Sequence, residues 1–93
     1  MDIREKTKKR LKMQSWRRGM KEVDLILGGF IDEFVHLLSE TEIESYERLL
    51  LQDDQLIFGW ISKKYTPPDE FRLIIEKIYQ SVIPDIAKSK TKY

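Results

Sequence analysis

The sequence predicts an all-α protein: a small five-helix bundle forming a single domain. Three observations carry this reading. Apolar residues recur at spacings of three and four through successive segments, the mark of one-sided helices. No strand-like alternation of useful length occurs anywhere in the 93 residues. Glycines and prolines are few, four and three, and mostly fall where one periodic segment gives way to the next.

The elements follow in order. Residues 3–16 are helix-permissive and mostly polar, with Ile3, Leu11 and Trp16 as anchors. Residues 20–38 carry Val23, Ile26, Leu27, Phe30, Phe34 and Leu37, an apolar stripe at helical spacing. Gly28-Gly29 interrupts it, and each glycine costs about 1 kcal/mol against alanine in a helix interior, so a kink or break is expected there. Ser39-Glu40-Thr41-Glu42 fits a capping box and starts a third helix with Ile43, Tyr46, Leu49 and Leu50 on its apolar face. Asp53-Asp54 reads as a stop and restart, an aspartate cap before a short helix bearing Leu56, Ile57, Trp60 and Ile61. Thr66-Pro67-Pro68-Asp69 is a further helix start, with a threonine cap and prolines in the first turn. The stripe Phe71, Ile74, Ile75, Ile78 and Val82 follows, and Pro84 is expected to end or kink it. The domain is therefore placed over 1–87, with a flexible basic tail over 88–93. Its core is expected to contain Phe30, Phe34, Leu49, Leu50, Leu56, Trp60, Ile74 and Ile78.

Composition narrows the chemistry. There is no cysteine, which removes disulfides, thiolate metal sites and thiol catalysis together. A single histidine makes no metal cage. Net charge is only +1, but it is unevenly placed: residues 1–21 hold nine Lys/Arg against Asp2 and Glu5, and residues 22–58 hold ten Asp/Glu against Arg48 alone. A basic head beside an acidic middle suits a protein partner better than a polyanion. The basic N-terminus lacks an apolar h-region, and no run is long enough to span a membrane, so the expected setting is the cytoplasm without membrane contact.

Catalytic signatures are missing: no dinucleotide or Walker loop, no G-x-S-x-G, no H-E-x-x-H. His36 reads as a solvent-facing or boundary histidine, and Phe58, Trp60 and Tyr65 are spaced as core residues. The unusual stretch is Trp16-Arg17-Arg18-Gly19-Met20-Lys21-Glu22-Val23-Asp24, at a helix junction. Two readings of it stand side by side. Gly19 is a turn residue, the acids favour the helix dipole and the arginines are solvated. Alternatively, a charged, glycine-centred knob lets a second backbone approach closely.

The run Arg17-Arg18-Gly19-Met20-x-Glu22-x-Asp24-x-x-Leu27, followed by Phe30, resembles the R-G-x-x-E signature of the succinate dehydrogenase assembly factors called flavinators. That family includes the bacterial SdhE proteins and their mitochondrial counterparts. A second stretch, Leu49-Leu50-x-x-Asp53-Asp54-x-Leu56-x-x-x-Trp60, is similar to the family's leucine-rich, acid-capped run ending at a tryptophan. The likeness spans about residues 3–80, and one departure is Gly28-Gly29, where the family commonly has bulkier residues or proline.

The resemblance implies a five-helix bundle that is not itself an enzyme. It implies a chaperone, monomeric when free, that binds the flavoprotein subunit of succinate dehydrogenase or fumarate reductase and promotes covalent attachment of FAD to it. The acceptor histidine belongs to the partner, so His36 need take no part. No cofactor or metal is implied to be held stably, and any contact with FAD would be made in the complex with the flavoprotein. Carried over by position, the partner-binding residues are Arg18, Gly19 and Glu22, with Arg17, Met20 and Asp24 beside them. Arg18 and Glu22 lie outside every apolar stripe, so both are expected to be exposed and dispensable for folding. Two other classes compete: a carrier of FAD using arginines at a helix start, and a basic-headed nucleic-acid-binding or regulatory protein, against which the acidic middle counts.

Overall fold

The structure, a computed structural model, describes residues 3–91, with side chains described over 4–82. Five α-helices account for most of it: α1 Ile3–Ser15, α2 Lys21–Phe34, α3 Glu40–Leu49, α4 Asp54–Ile61 and α5 Asp69–Thr91, with a 3-10 turn Val35–Leu37 after α2. No strand occurs among the described residues.

The predicted stripes build one core. Leu11 enters from α1, Val23, Leu27, Phe30 and Ile31 from α2, and Ile43, Tyr46 and Leu49 from α3. Ile57, Trp60 and Ile61 come from α4, and Phe71, Ile74, Ile75 and Ile78 from α5. α2 packs against α1, α4 and α5, while α3 and α4 also lie on α5. Phe30 sits 5.8 Å from the Tyr46 ring and Trp60 5.6 Å from Phe71, aromatic contacts that lock α2 to α3 and α4 to α5. The buried Tyr46 hydroxyl shares a 2.6 Å hydrogen bond with Ser15 Oγ, and the serine in turn donates to the Leu11 carbonyl. A polar group in the core is thereby satisfied and α1 is pinned to α3.

The Ser39–Glu42 capping box forms as read, with Ser39 Oγ accepting from the Glu42 N–H and the Glu42 carboxylate accepting from the Ser39 N–H. Elsewhere the chain departs from expectation. α2 runs unbroken through Gly28-Gly29. The reason lies outside the helix: the Trp16 ring rests on Gly28, where an added Cβ would stand 2.3 Å from ring atoms, and the indole N–H donates to Asp32 at 3.0 Å. Trp16 is thus a latch across α1 and α2, still 43% exposed, rather than a core anchor.

Leu56 is 42% exposed, against its expected place in the core. On a two-turn helix, Ile57, Trp60 and Ile61 already take the i, i+3, i+4 face and leave Leu56 on the flank. Phe34 and Phe58 are half-buried at the core's edge, and Leu37 lies exposed on the 3-10 turn. Tyr65, also expected in the core, is half-exposed and packs against Gly59, whose Cβ would fall 2.3 Å from its ring. Asp53 holds the N-cap position of α4 but its carboxylate makes no cap bond. Thr66 and both prolines precede α5 rather than opening it. That helix continues past Pro84 to Thr91, a break that costs about 3 kcal/mol in a helix interior being one a long helix can carry. Ile3 and the side chains of the expected tail lie outside the described ones.

Candidate functional site

The six residues singled out at 17–24 occupy the α1–α2 junction, and the structure divides them into two groups. Arg18, Asp24 and Met20 turn toward the protein. Arg17, Gly19 and Glu22 face outward.

Arg18 corrects the expectation of an exposed arginine dispensable for folding. Its side chain is 13% exposed and reaches across to the α3–α4 corner. Nε donates to Asp54 Oδ1 at 2.7 Å, Nη1 to the Leu50 carbonyl at 2.6 Å and Nη2 to the Gln52 carbonyl at 2.8 Å. The last carbonyls of α3 lack helical partners, and the guanidinium fork supplies donors to the corner that follows them. Asp54 is 15% exposed and completes the arrangement from the other side. Its Oδ2 accepts the backbone N–H of Gly19 at 2.8 Å and of Met20 at 3.0 Å. Burial works against its charge. Even so, the Arg18 hydrogen bond, the Met20 N–H, the Arg18 charge and the Gly19 N–H together hold its pKa below the ordinary carboxylate value.

Asp24 closes the loop from within. Its carboxylate, in the first turn of α2, accepts the Arg18 backbone N–H and ties the loop back onto the helix that follows it. Met20 packs on the edge of the core.

The outward group is what this scaffold displays. The side chains of Arg17 and Glu22 are exposed and make no hydrogen bond or ion pair with the described residues. Gly19 is exposed with a negative φ, and a Cβ there would stand 3.4 Å from Asp54 Oδ2, an ordinary contact. Nothing in the fold therefore demands glycine at 19, and what it presents outward is bare backbone. A groove of about 700 Å³ between α1 and α3 runs up to this knob, lined by Arg17, Arg18 and the exposed Met13 and Leu51. A second, of about 440 Å³, lies on the far side, lined by Met20, Leu56, Phe58 and Tyr65.

His36 is exposed within hydrogen-bond distance of Lys8 Nζ, away from the knob. Among the described residues no group of three histidine or acidic side chains is placed to hold a metal, and no helix is long and apolar enough to cross a membrane. Sequence reasoning missed Asp54 and the Trp16–Gly28–Asp32 latch. A signal for Asp54 was present: the two quoted motifs carry an arginine and an acid pair of opposite sign, and the fold brings them together.

A family model described as "Flavinator of succinate dehydrogenase" matches residues 9–82. Among curated proteins, the chain is 45% identical over 76 residues to the mitochondrial succinate dehydrogenase assembly factor 2 of Dictyostelium discoideum, covering 82% of this chain and 54% of that protein. It is 42% identical over 65 residues to the FAD assembly factor SdhE of Coxiella burnetii, covering 69% and 79%. It is 36% identical over 77 residues to the mitochondrial assembly factor 2 of Caenorhabditis briggsae, covering 78% and 60%. The matched stretch thus covers between 38% and 60% of the length of these and other mitochondrial assembly factors it resembles.

Proposed function

This chain belongs to the family of succinate dehydrogenase flavinators, assembly factors rather than catalysts, and from that premise we propose that it binds the flavoprotein subunit of succinate dehydrogenase and promotes covalent attachment of FAD to it. The related subunit of fumarate reductase is a second client of the same chemistry. The contact is made by the knob at the α1–α2 junction. Arg17 and Glu22 are the charged groups offered to the partner and Gly19 is the point of closest approach, while Arg18, Met20 and Asp24 hold these three in place. One copy works on one flavoprotein, in the bacterial cytoplasm, and FAD is met only within the complex.

The observation that carries this reading is the division of the signature. A loop held by six hydrogen bonds leaves two opposite charges and a bare backbone facing outward with nothing of its own to bind. The proposed role asks no acid, base or nucleophile of this assembly for the flavin bond. It acts by binding the flavoprotein conformation in which flavin and acceptor side chain are close. Positioning of that kind contributes several kcal/mol to a rate without chemistry from the helper, and only to the extent that this conformation is bound better than others.

The test is co-expression with the flavoprotein subunit, reading covalent flavin by fluorescence on a denaturing gel. Arg17→Ala and Glu22→Ala should keep the wild-type melting temperature and lose most of the covalent flavin. Gly19→Ala should fold normally and flavinylate poorly. Wild-type flavin incorporation by all three variants would refute the assignment of the knob.

A further inference from the structure

We propose that Asp54, outside the R-G-x-x-E signature and 36 residues from Arg18, is the positioning residue that sets the geometry of the partner-binding knob. The inference rests on the flavinylation-helper reading and deepens it.

Asp54 is the first residue of α4 and contributes nothing to the apolar core. Its two oxygens take three donors from three consecutive residues: Arg18 Nε at 2.7 Å on Oδ1, and the N–H groups of Gly19 at 2.8 Å and Met20 at 3.0 Å on Oδ2. Only a carboxylate meets this pattern. An asparagine has one acceptor oxygen, so it must abandon either the guanidinium or the two backbone groups, and it turns an amide N–H₂ toward donors. Consecutive backbone N–H groups held on one oxygen fix the course of the chain through 19 and 20. That course sets where Arg17 leaves the loop on one side and where α2 with Glu22 begins on the other.

The pair with Arg18 extends the constraint. The guanidinium spends its remaining contacts on the Leu50 and Gln52 carbonyls, so knob and α3–α4 corner move as one body. Without Asp54 the loop samples other courses, and a partner requiring one of them sees the protein in its binding form for only a fraction of the time. Apparent affinity falls by that fraction, while the rate once bound is unchanged. A residue acting on the flavin chemistry itself would show the reverse.

The experiment uses the full chain, purified flavoprotein subunit and free FAD. The rate of covalent flavin formation is followed against helper concentration, and amide hydrogen exchange is measured by NMR on the helper alone. Asp54→Asn should raise the half-saturating concentration about tenfold with the saturated rate unchanged. Exchange at Gly19 and Met20 should quicken at least tenfold, while the core amides of Tyr46 and Ile57 keep wild-type protection. A wild-type half-saturation, or a fall in the saturated rate alone, overturns the inference. If core amides also lose protection in Asp54→Asn, Arg18→Lys decides the matter. It keeps a cation for Asp54 but releases the two carbonyls, and should show the same pair of changes in milder form. A raised half-saturation there without faster exchange at Gly19 and Met20 overturns the inference. A wild-type protein that leaves flavinylation at its unassisted rate refutes the helper reading and the inference with it, whereas an active wild type matched by Asp54→Asn refutes the inference alone.

Discussion

Two adjacent glycines in α2 should respond to alanine with opposite signs. At Gly29 a Cβ meets nothing within 4 Å, so Gly29→Ala acts through helix propensity alone and should stabilise by about 1 kcal/mol. At Gly28 the same gain is set against the Trp16 ring, which a Cβ would meet at 2.3 Å. With 43% of Trp16 exposed, a little more than half of the indole is buried. For an aromatic that buries about 150–250 Å² when enclosed, that is on the order of 100 Å², or about 2.5 kcal/mol of apolar burial. The bond to Asp32 adds about 1 kcal/mol more. The indole can slide rather than leave, so part of this is kept, and Gly28→Ala should be destabilising by about 1–2 kcal/mol net. In a chain of this size each kcal/mol moves the melting temperature by about 4–8 °C. Thermal melts followed by far-UV circular dichroism should therefore place Gly29→Ala above wild type and Gly28→Ala below it. Tryptophan emission should shift to the red only in Gly28→Ala. A Gly28→Ala protein melting at or above wild type would refute the latch as a source of stability.

Arg18→Ala should cost about 2–4 kcal/mol, because it deletes a largely shielded ion pair and two carbonyl contacts together. Urea titration of the purified variant checks this, and an unchanged midpoint would contradict the inward arginine. The acid limb of stability should depend on Asp54. Its folded pKa lies below the unfolded one, so its contribution is complete above about pH 4 and drains away as pH falls through the folded value. Melting temperature against pH should consequently fall less steeply in Asp54→Asn than in wild type on the acid side, and parallel curves would refute the clamp's electrostatic part.

Much of the fold is legible in the residues because its determinants are local. The stripes of α3 and α5, that of α2 as far as Phe34, and the Ser39–Glu42 box are readable over one or two turns, and these form as read. The failures share a physical cause. Leu56 and Ile57 are equally apolar neighbours, and on two turns of helix only tertiary packing chooses between them. Gly28 is a liability by propensity and a seat by contact, and the contact comes from a different helix. Arg18 reads as solvated because two of its three acceptors are backbone carbonyls, which carry no residue label, and the third lies far along the chain. The six residues of the candidate site all fall at the α1–α2 junction. The division between residues that hold it and residues that face out follows only from geometry.

The span of the Arg18–Asp54 pair has a consequence for biosynthesis. A chain made from its N-terminus contains Arg17, Arg18 and Gly19 early, but the acceptors of Arg18 lie at 50, 52 and 54. Closing such a long loop is entropically costly and comes after the local helical turns. A nascent or partly unfolded molecule therefore carries the signature as text but not as shape. On the proposed function, recognition waits until α3 and α4 have docked, so a client is engaged by finished molecules and spared by incomplete ones.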